Sequence, residues 1–318
     1  MLRIVVLFSW RAGVPAVLLE ALRSAIAARD DFELAAICLP SPPPRAGPAR
    51  FLIERLYAWL NRNRRPFRAV KPIKPRQWSR RRGVAVVYPV GGDFNAPAFA
   101  ATLQAAFSPA ILFSVYCLQR LGPGLLQTAP QSVNYHNGAL PAYRGLRATG
   151  WSIYNGEARS GFAFHRMTAE LDAGNVLVSG SVPIAAGDAA ANVEAAKAKA
   201  AAALVPELLD LLAADAPGEP QNGTACYYAQ SDFDLITRIT APSSLSREEL
   251  LLRLRAFRAL DLQLGGNSYS VDLLEDVASS SRGKRLCFET ADGAWMVPTS
   301  ILSLPIPLYR LRSLLLRD

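Results

Sequence analysis

The sequence predicts an α/β fold class: a Rossmann-like, doubly wound, mostly parallel sheet followed by a smaller C-terminal α+β module. Three observations predict it. Apolar runs of strand length alternate with stretches of helical spacing through the first two thirds of the 318 residues, the pattern expected of strands buried on both faces. An alanine-rich helical stretch closes that part, and APGEPQNG, Ala216 to Gly223, has the composition of a linker. Beyond it, short apolar segments between turn residues replace the long alternation. The expected domains are therefore 1–215 and 224–318.

Each element follows from its residues. Ile4 to Phe8 is a continuous apolar run, Val14 to Asp30 has helical spacing, and Phe32 to Leu39 is mostly apolar, giving a β-α-β opening. PSPPPRAGP breaks the pattern as a loop. Arg50 to Arg62 puts Leu52, Leu56, Trp59 and Leu60 on one face of a basic amphipathic helix. Strands are expected at Val84 to Val90 and Ala110 to Tyr116, with a helix at Ala98 to Phe107 between them. Ser132 to His136 reads as a further strand, and Gly161 to Met167 and Val176 to Ile184 alternate in the period of strands. Asp188 to Asp215 favours helix by its alanine content. In the second module Ser246 to Phe257 opens on a capping box, Ser246 with Glu249. Short strands are expected there at Ser268 to Leu273, Arg285 to Glu289 and Ala294 to Val297. The sequence has no internal repeat, no G-x-G-x-x-G and no phosphate loop G-x-x-x-x-G-K-[ST].

Composition narrows the function classes. A chain 51% hydrophobic and 19% charged is that of a globular protein. Cys38, Cys117, Cys226 and Cys287 are far apart and make no C-x-x-C pair, so neither a zinc site nor a disulfide framework is signalled, and no metal is expected. MLRIVVLFSWRAG reads as a first strand, not a signal peptide, and no stretch approaches the apolar length of a membrane span. A cytoplasmic location is expected. The net charge of +9 is uneven: Pro44 to Gly83 holds thirteen basic residues against the single acid Glu54, a balance of +12. Such a segment reads either as a phosphate or anion contact or as a solvated basic loop and helix.

One of only two histidines stands in NYHNGALPAYRG, Asn134 to Gly145. Asn134 and His136 alternate at the end of an expected strand and so point to one side of the sheet. In a doubly wound sheet ligands bind beyond the carboxyl ends of the strands. There an amide donor and an imidazole suit proton transfer, although Asn-x-His by itself is more often a satisfied turn. Asp172, in ELDAGN, reads on its own as a turn or capping residue.

Taken together, NYHNGALPAYRG, Trp151, NGEARSGFAFH (Asn155 to His165) and MTAELDAGNVL (Met167 to Leu177) resemble the folate-dependent formyltransferase family. The family signature is Asn-x-His, a Leu-Pro turn with Arg-Gly, then Gly-Glu, then Asp-x-Gly before a strand. The resemblance covers roughly 1–210 and continues more weakly through Asp232 to Phe257. There it implies a C-terminal domain that in several members is a small open β-barrel. It implies Asn134, His136 and Asp172 as catalytic residues and 10-formyltetrahydrofolate as co-substrate. An amine attacking the formyl carbon produces an oxyanion that needs placed donors, and a proton must leave that amine. For an amine of pKa about 10.4, only on the order of one molecule in a thousand is neutral at pH 7. The resemblance places the pterin between Cys117, Leu118, Gln119, Arg120 and Leu121 on one side and Thr168 and Leu171 on the other.

The chain departs from the family where Gly138 and Ala139 replace the usual Ser and Leu, and where Ala110 replaces an Asp. These positions bear on acceptor shape. His165 matches members acting on small molecules, or reads as a half-buried strand histidine. The expected acceptor is a small amine, an aminosugar nucleotide or a hydroxyornithine-like compound. The alternatives are methionyl-tRNA, with tRNA as partner through the basic segment, a 10-formyltetrahydrofolate hydrolase, and a non-catalytic RNA-binding relative. The apolar tail Leu302 to Asp318 suits a homodimer contact or a core edge.

Overall fold

A computed structural model describes residues 1–8, 13–40, 75–278 and 286–298. Seven strands form one sheet in the order β3-β2-β1-β4-β5-β7-β8. They are β1 Leu2–Leu7, β2 Phe32–Cys38, β3 Ala85–Val87, β4 Ile111–Val115, β5 Gln131–His136, β7 Arg159–Arg166 and β8 Val176–Pro183. The first five pair in parallel, and β7 and β8 add antiparallel ladders at one edge. The α/β expectation of a mostly parallel sheet holds.

The reason the first strands read as unbroken apolar runs is visible in β1. Ile4, Val6 and Phe8 enter one apolar cluster, with Leu18, Leu22, Phe113, Val133 and Phe164. Val5 and Leu7 enter a second cluster on the opposite face, with Phe99, Leu103 and Leu112. A strand covered on both faces has no solvent side to give to polar residues. The helix Gly13–Ile26 buries Val14, Leu18, Leu19, Leu22 and Ile26 at helical spacing.

Three differences from the sequence-based expectation have local causes. The alanine-rich stretch forms two helices, Ala190–Ala203 and Val205–Ala213, because Pro206 at the start of the second has no N–H to continue the first. The segment 216–223 is pinned to the sheet: Val176 and Glu219 exchange both backbone hydrogen bonds at 2.8 Å. Two residues on each side form a parallel pair, β6 Arg144–Gly145 with β9 Tyr227–Tyr228, too short and too distant in sequence to carry a pattern. The amphipathic helix expected over 50–62 and most of the basic segment lie outside the described residues. Within them, Arg80, Arg81 and Arg82 end the helix Pro75–Arg82, and Arg82 reaches Glu20 at 3.3 Å.

The C-terminal part places two three-stranded sheets around one apolar cluster. One holds β10 Arg238–Ile239, β11 Leu260–Leu264 and β12 Asn267–Val271; the other holds β13 Leu274–Asp276, β14 Phe288–Glu289 and β15 Trp295–Pro298. The strand expected over 268–273 forms as β12 and stops at Val271, and β11 and β13 were not expected. The helix Arg247–Phe257 starts where expected. Ser246 Oγ accepts the Glu249 N–H at 3.1 Å, while the Glu249 carboxylate turns to Tyr154 and Arg253 in place of closing the box. None of the described helices is long and apolar enough to cross a membrane.

Candidate active site

Strand alternation builds the site. On β5, Val133 and Tyr135 point into the core, where the Tyr135 ring meets Phe164 at 5.3 Å and Phe162 at 6.1 Å. Asn134 and His136 therefore face the other way. On the neighbouring antiparallel strand Phe162 and Phe164 do the same, and His165 comes opposite Asn134 in register. The ladder thus brings together the only two histidines of the chain. Their rings lie 6.3 Å apart, edge to face.

Asp172 reaches this pair from the loop between β7 and β8. Its Oδ2 is 3.5 Å from His136 Nδ1 and its Oδ1 is 3.6 Å from His165 Nε2, so one carboxylate stands between two imidazoles. Asn134 Nδ2 lies 3.1 Å from His165 Nε2. The three residues expected to be catalytic converge, and His165, left between two readings in the sequence, is fully buried as the fourth member. Its place follows from strand register, which no local pattern announces.

Backbone carbonyls assign the tautomers. His136 Nε2–H donates to Tyr143 O at 2.6 Å, which leaves the Nδ1 lone pair toward Asp172. His165 Nδ1–H donates to Arg166 O at 2.8 Å, so its Nε2 accepts from the Asn134 amide. Asn134 keeps a second amide N–H and its carbonyl oxygen for other partners.

Two glycines make this closeness available. A Cβ on Gly138 would stand 2.5 Å from Tyr143 O and 2.8 Å from His136 Nε2. Glycine in place of the family's usual Ser is therefore what lets the Tyr143 carbonyl close on the imidazole. Gly145 has φ +89°, and a Cβ there would meet Tyr228 O at 2.4 Å. Its N–H donates to Asp172 Oδ2 at 2.9 Å, while Gln221, from the pinned segment, donates to the backbone carbonyls of Asp172 and Gly174 at 2.8 Å.

The electrostatics follow. Burial works to raise the Asp172 pKa, but the close imidazoles of His165 and His136 and the Gly145 N–H outweigh it and hold the carboxyl at about 2. Burial pushes the His136 pKa below 6.5 more strongly than Asp172 and the Tyr143 contact raise it, and His165 and Lys197 lower it further. At neutral pH the site holds an anionic Asp172 beside a neutral His136.

The residues expected around the pterin form two facing loops. Arg120 donates to Ala169 O at 2.6 Å and so ties the loop Cys117 to Leu121 to the loop holding Thr168 and Leu171. The Gln119 side chain is taken up by Gly92 O, at 2.6 Å, and the Phe94 N–H, at 2.9 Å. Thr168 Oγ donates to Glu170 O. Cys117, Leu121 and Met167 pack against the second apolar cluster. Leu118 and Leu171 hold apolar surface in solvent, 69% and 39% exposed. A cavity of about 620 Å³ opens beside these loops, lined by Pro123, Leu126, Ser132, Met167 and Ala169 among others. Neither the seven expected residues nor Asn134, His136, His165 and Asp172 line it, so it is separate from the cluster. Among the described residues no group of three His, Cys, Asp or Glu is placed to hold a metal ion.

Comparison with known proteins gives a family match over part of the chain and a fold. Residues 95–209 match the formyl transferase family model, a span that contains all four residues of the cluster. A sugar N-formyltransferase from Shewanella superposes with a TM-score of 0.60 at 18% identity, over 88% of this chain and 100% of that one. An N-formyltransferase from Helicobacter canadensis, in complex with folinic acid and dTDP-3-aminofucose, gives 0.56 at 14% identity, over 94% and 99%. HypX from Aquifex aeolicus, in complex with tetrahydrofolic acid, gives 0.59 at 15% identity; the match spans 99% of this chain and 48% of that longer one.

Proposed function

The chain carries a formyl transferase domain of the folate-dependent one-carbon class over residues 95–209, and from that premise we propose that it formylates the amine of an aminosugar nucleotide, with 10-formyltetrahydrofolate as donor. The observation that carries the proposal is the convergence of Asn134, His136, His165 and Asp172, with a carboxylate and a neutral imidazole nitrogen facing each other at 3.5 Å. The folate and aminosugar nucleotide bound by the Helicobacter relative support the donor and acceptor classes.

In this reading the free amide N–H of Asn134 donates to the formyl oxygen as it becomes an oxyanion. Loss of one such donor costs roughly 2.7 to 4 kcal/mol of barrier. His136 Nε2–H is occupied by Tyr143 O, so His136 works through Nδ1. With Asp172 it accepts the proton released by the attacking amine and returns it to the departing folate nitrogen. His165 holds the Asn134 amide in place from the side. The pterin lies between the loops that Arg120 and Ala169 join.

The test is a panel of amines, with aminosugar nucleotides, hydroxyornithine, charged initiator tRNA and no amine as arms, scored for tetrahydrofolate release. Turnover only with an aminosugar nucleotide is expected. Turnover with tRNA alone reassigns the acceptor, and formate release without any amine makes the protein a hydrolase.

A further inference from the structure

Lys197, on the helix Ala190–Ala203, has no exposed surface and forms no ion pair among the described residues. Its ammonium instead faces four oxygens: Thr149 Oγ at 2.6 Å, Asn137 O at 2.8 Å, Ser160 Oγ at 3.0 Å and Gly161 O at 3.2 Å. A buried ammonium without a counter-ion is costly, and nothing in the core packing asks for one here. Asn137, the residue after His136, is the centre of what it holds. The Asn137 side chain donates to Thr149 Oγ and Tyr116 OH and accepts from Tyr135 OH.

We propose that Lys197 is a positioning residue of the reaction: a buried cation that fixes the turn leaving His136, through the Asn137 carbonyl and Thr149, and sets the electrostatic field at the imidazole. This role rests on the formyltransferase reading. The charged and titratable groups around it come from every element packed there. They are Glu194 on its own helix, paired with Arg258 at the end of the helix Arg247–Phe257, Tyr116 after β4, Tyr135 and His136 on β5, His165 on β7, and Asp172 beyond. Burial draws the Lys197 pKa down to about 7, against the pull of Glu194. Below that pH, where His136 titrates, Lys197 is charged and opposes protonation of His136. A neutral Nδ1 is the form that can take a proton from the amine.

Because the chain has two histidines, their titrations resolve in a ¹⁵N-histidine spectrum, with His136→Asn to assign them. In Lys197→Met, and in Lys197→Gln, which keeps a hydrogen-bonding end without the charge, the His136 midpoint is expected to move to higher pH. An unchanged midpoint in a folded variant overturns the proposal. Should both variants fail to fold, the ¹⁵N-lysine spectrum of the unmodified protein decides. A protonated, slowly exchanging Nζ for Lys197 below the His136 midpoint is expected, and a neutral amine there overturns it. In turnover, Lys197→Met lowers kcat on the order of tenfold to a hundredfold, as a misplaced catalytic group does, with KM for 10-formyltetrahydrofolate unchanged; equal losses in both parameters count against positioning. An unmodified protein that formylates no amine removes the formyltransferase reading but leaves the histidine titration to be judged by itself.

Discussion

Asp172 is the residue in which stability and chemistry meet. It sits at φ +52°, nearly buried, and is held ionised by His165, His136 and the Gly145 N–H. A carboxyl whose folded pKa is depressed adds stability that is fully present above its unfolded pKa, about 4, and is lost as pH falls toward 2. Asp172→Asn should therefore cost about 2 kcal/mol at neutral pH, and denaturation curves of the two proteins should draw together below about pH 4. A constant difference from pH 2 to 7 would deny the ionised partner. His136 is shifted downward as well, so acid costs stability there too. Its pKa lies below 6.5, so the imidazole is neutral, and able to accept a proton, down to pH values where a free histidine is half charged. The acid limb of kcat/KM should lie below pH 6.5, and a limb above it would contradict the assigned role.

The elements that carry these residues were legible in unequal measure. β1, β2, β4 and β5 could be read from sequence because strands covered on both faces are apolar throughout, and Asn134 and His136 could be placed on one face by alternation alone. The β6 and β9 pair could not be read, although it holds Gly145 against Asp172, because two residues form no period. His165 and Lys197 were missed as site members for the same kind of reason: strand register and a helix docking across the sheet bring them in, and neither leaves a spacing in the chain. The Gly145 turn gives a direct test. Gly145→Ala places a Cβ at positive φ against Tyr228 O and should destabilise by about 1 to 3 kcal/mol, with a loss of kcat because the Asp172 hydrogen bond goes with it. The two loops proposed to flank the pterin give another. Arg120→Ala removes the bond to Ala169 and should raise KM for 10-formyltetrahydrofolate while kcat changes little; steady-state kinetics read the split.

At the scale of the whole molecule, the C-terminal part leans on the sheet domain through aromatic side chains. The Phe257 ring lies 4.9 Å from Trp151, 5.8 Å from Tyr154 and 5.6 Å from Phe233, and the Arg147 guanidinium lies 3.7 Å over the Phe233 ring. Trp151 stacks on Tyr228 at 4.5 Å, and Tyr228 in turn on Tyr143, the residue whose carbonyl holds His136. This cluster runs from the second module to within one hydrogen bond of the site. Phe257→Ala should cost about 3 to 5 kcal/mol in a thermal or denaturant melt, and a loss under 1 kcal/mol would mean that the two parts stand independently. The composition shift at 216–223 is legible in the sequence as a linker, whereas this packing depends on contacts between residues a hundred positions apart. The central claim, that the four-residue cluster is a formyl-transfer centre, is tested most directly by following tetrahydrofolate release from 10-formyltetrahydrofolate with an aminosugar nucleotide, in the unmodified protein and in Asp172→Asn. Amine-dependent release that falls by roughly a hundredfold or more in the variant is the predicted result; equal release from both proteins would contradict it.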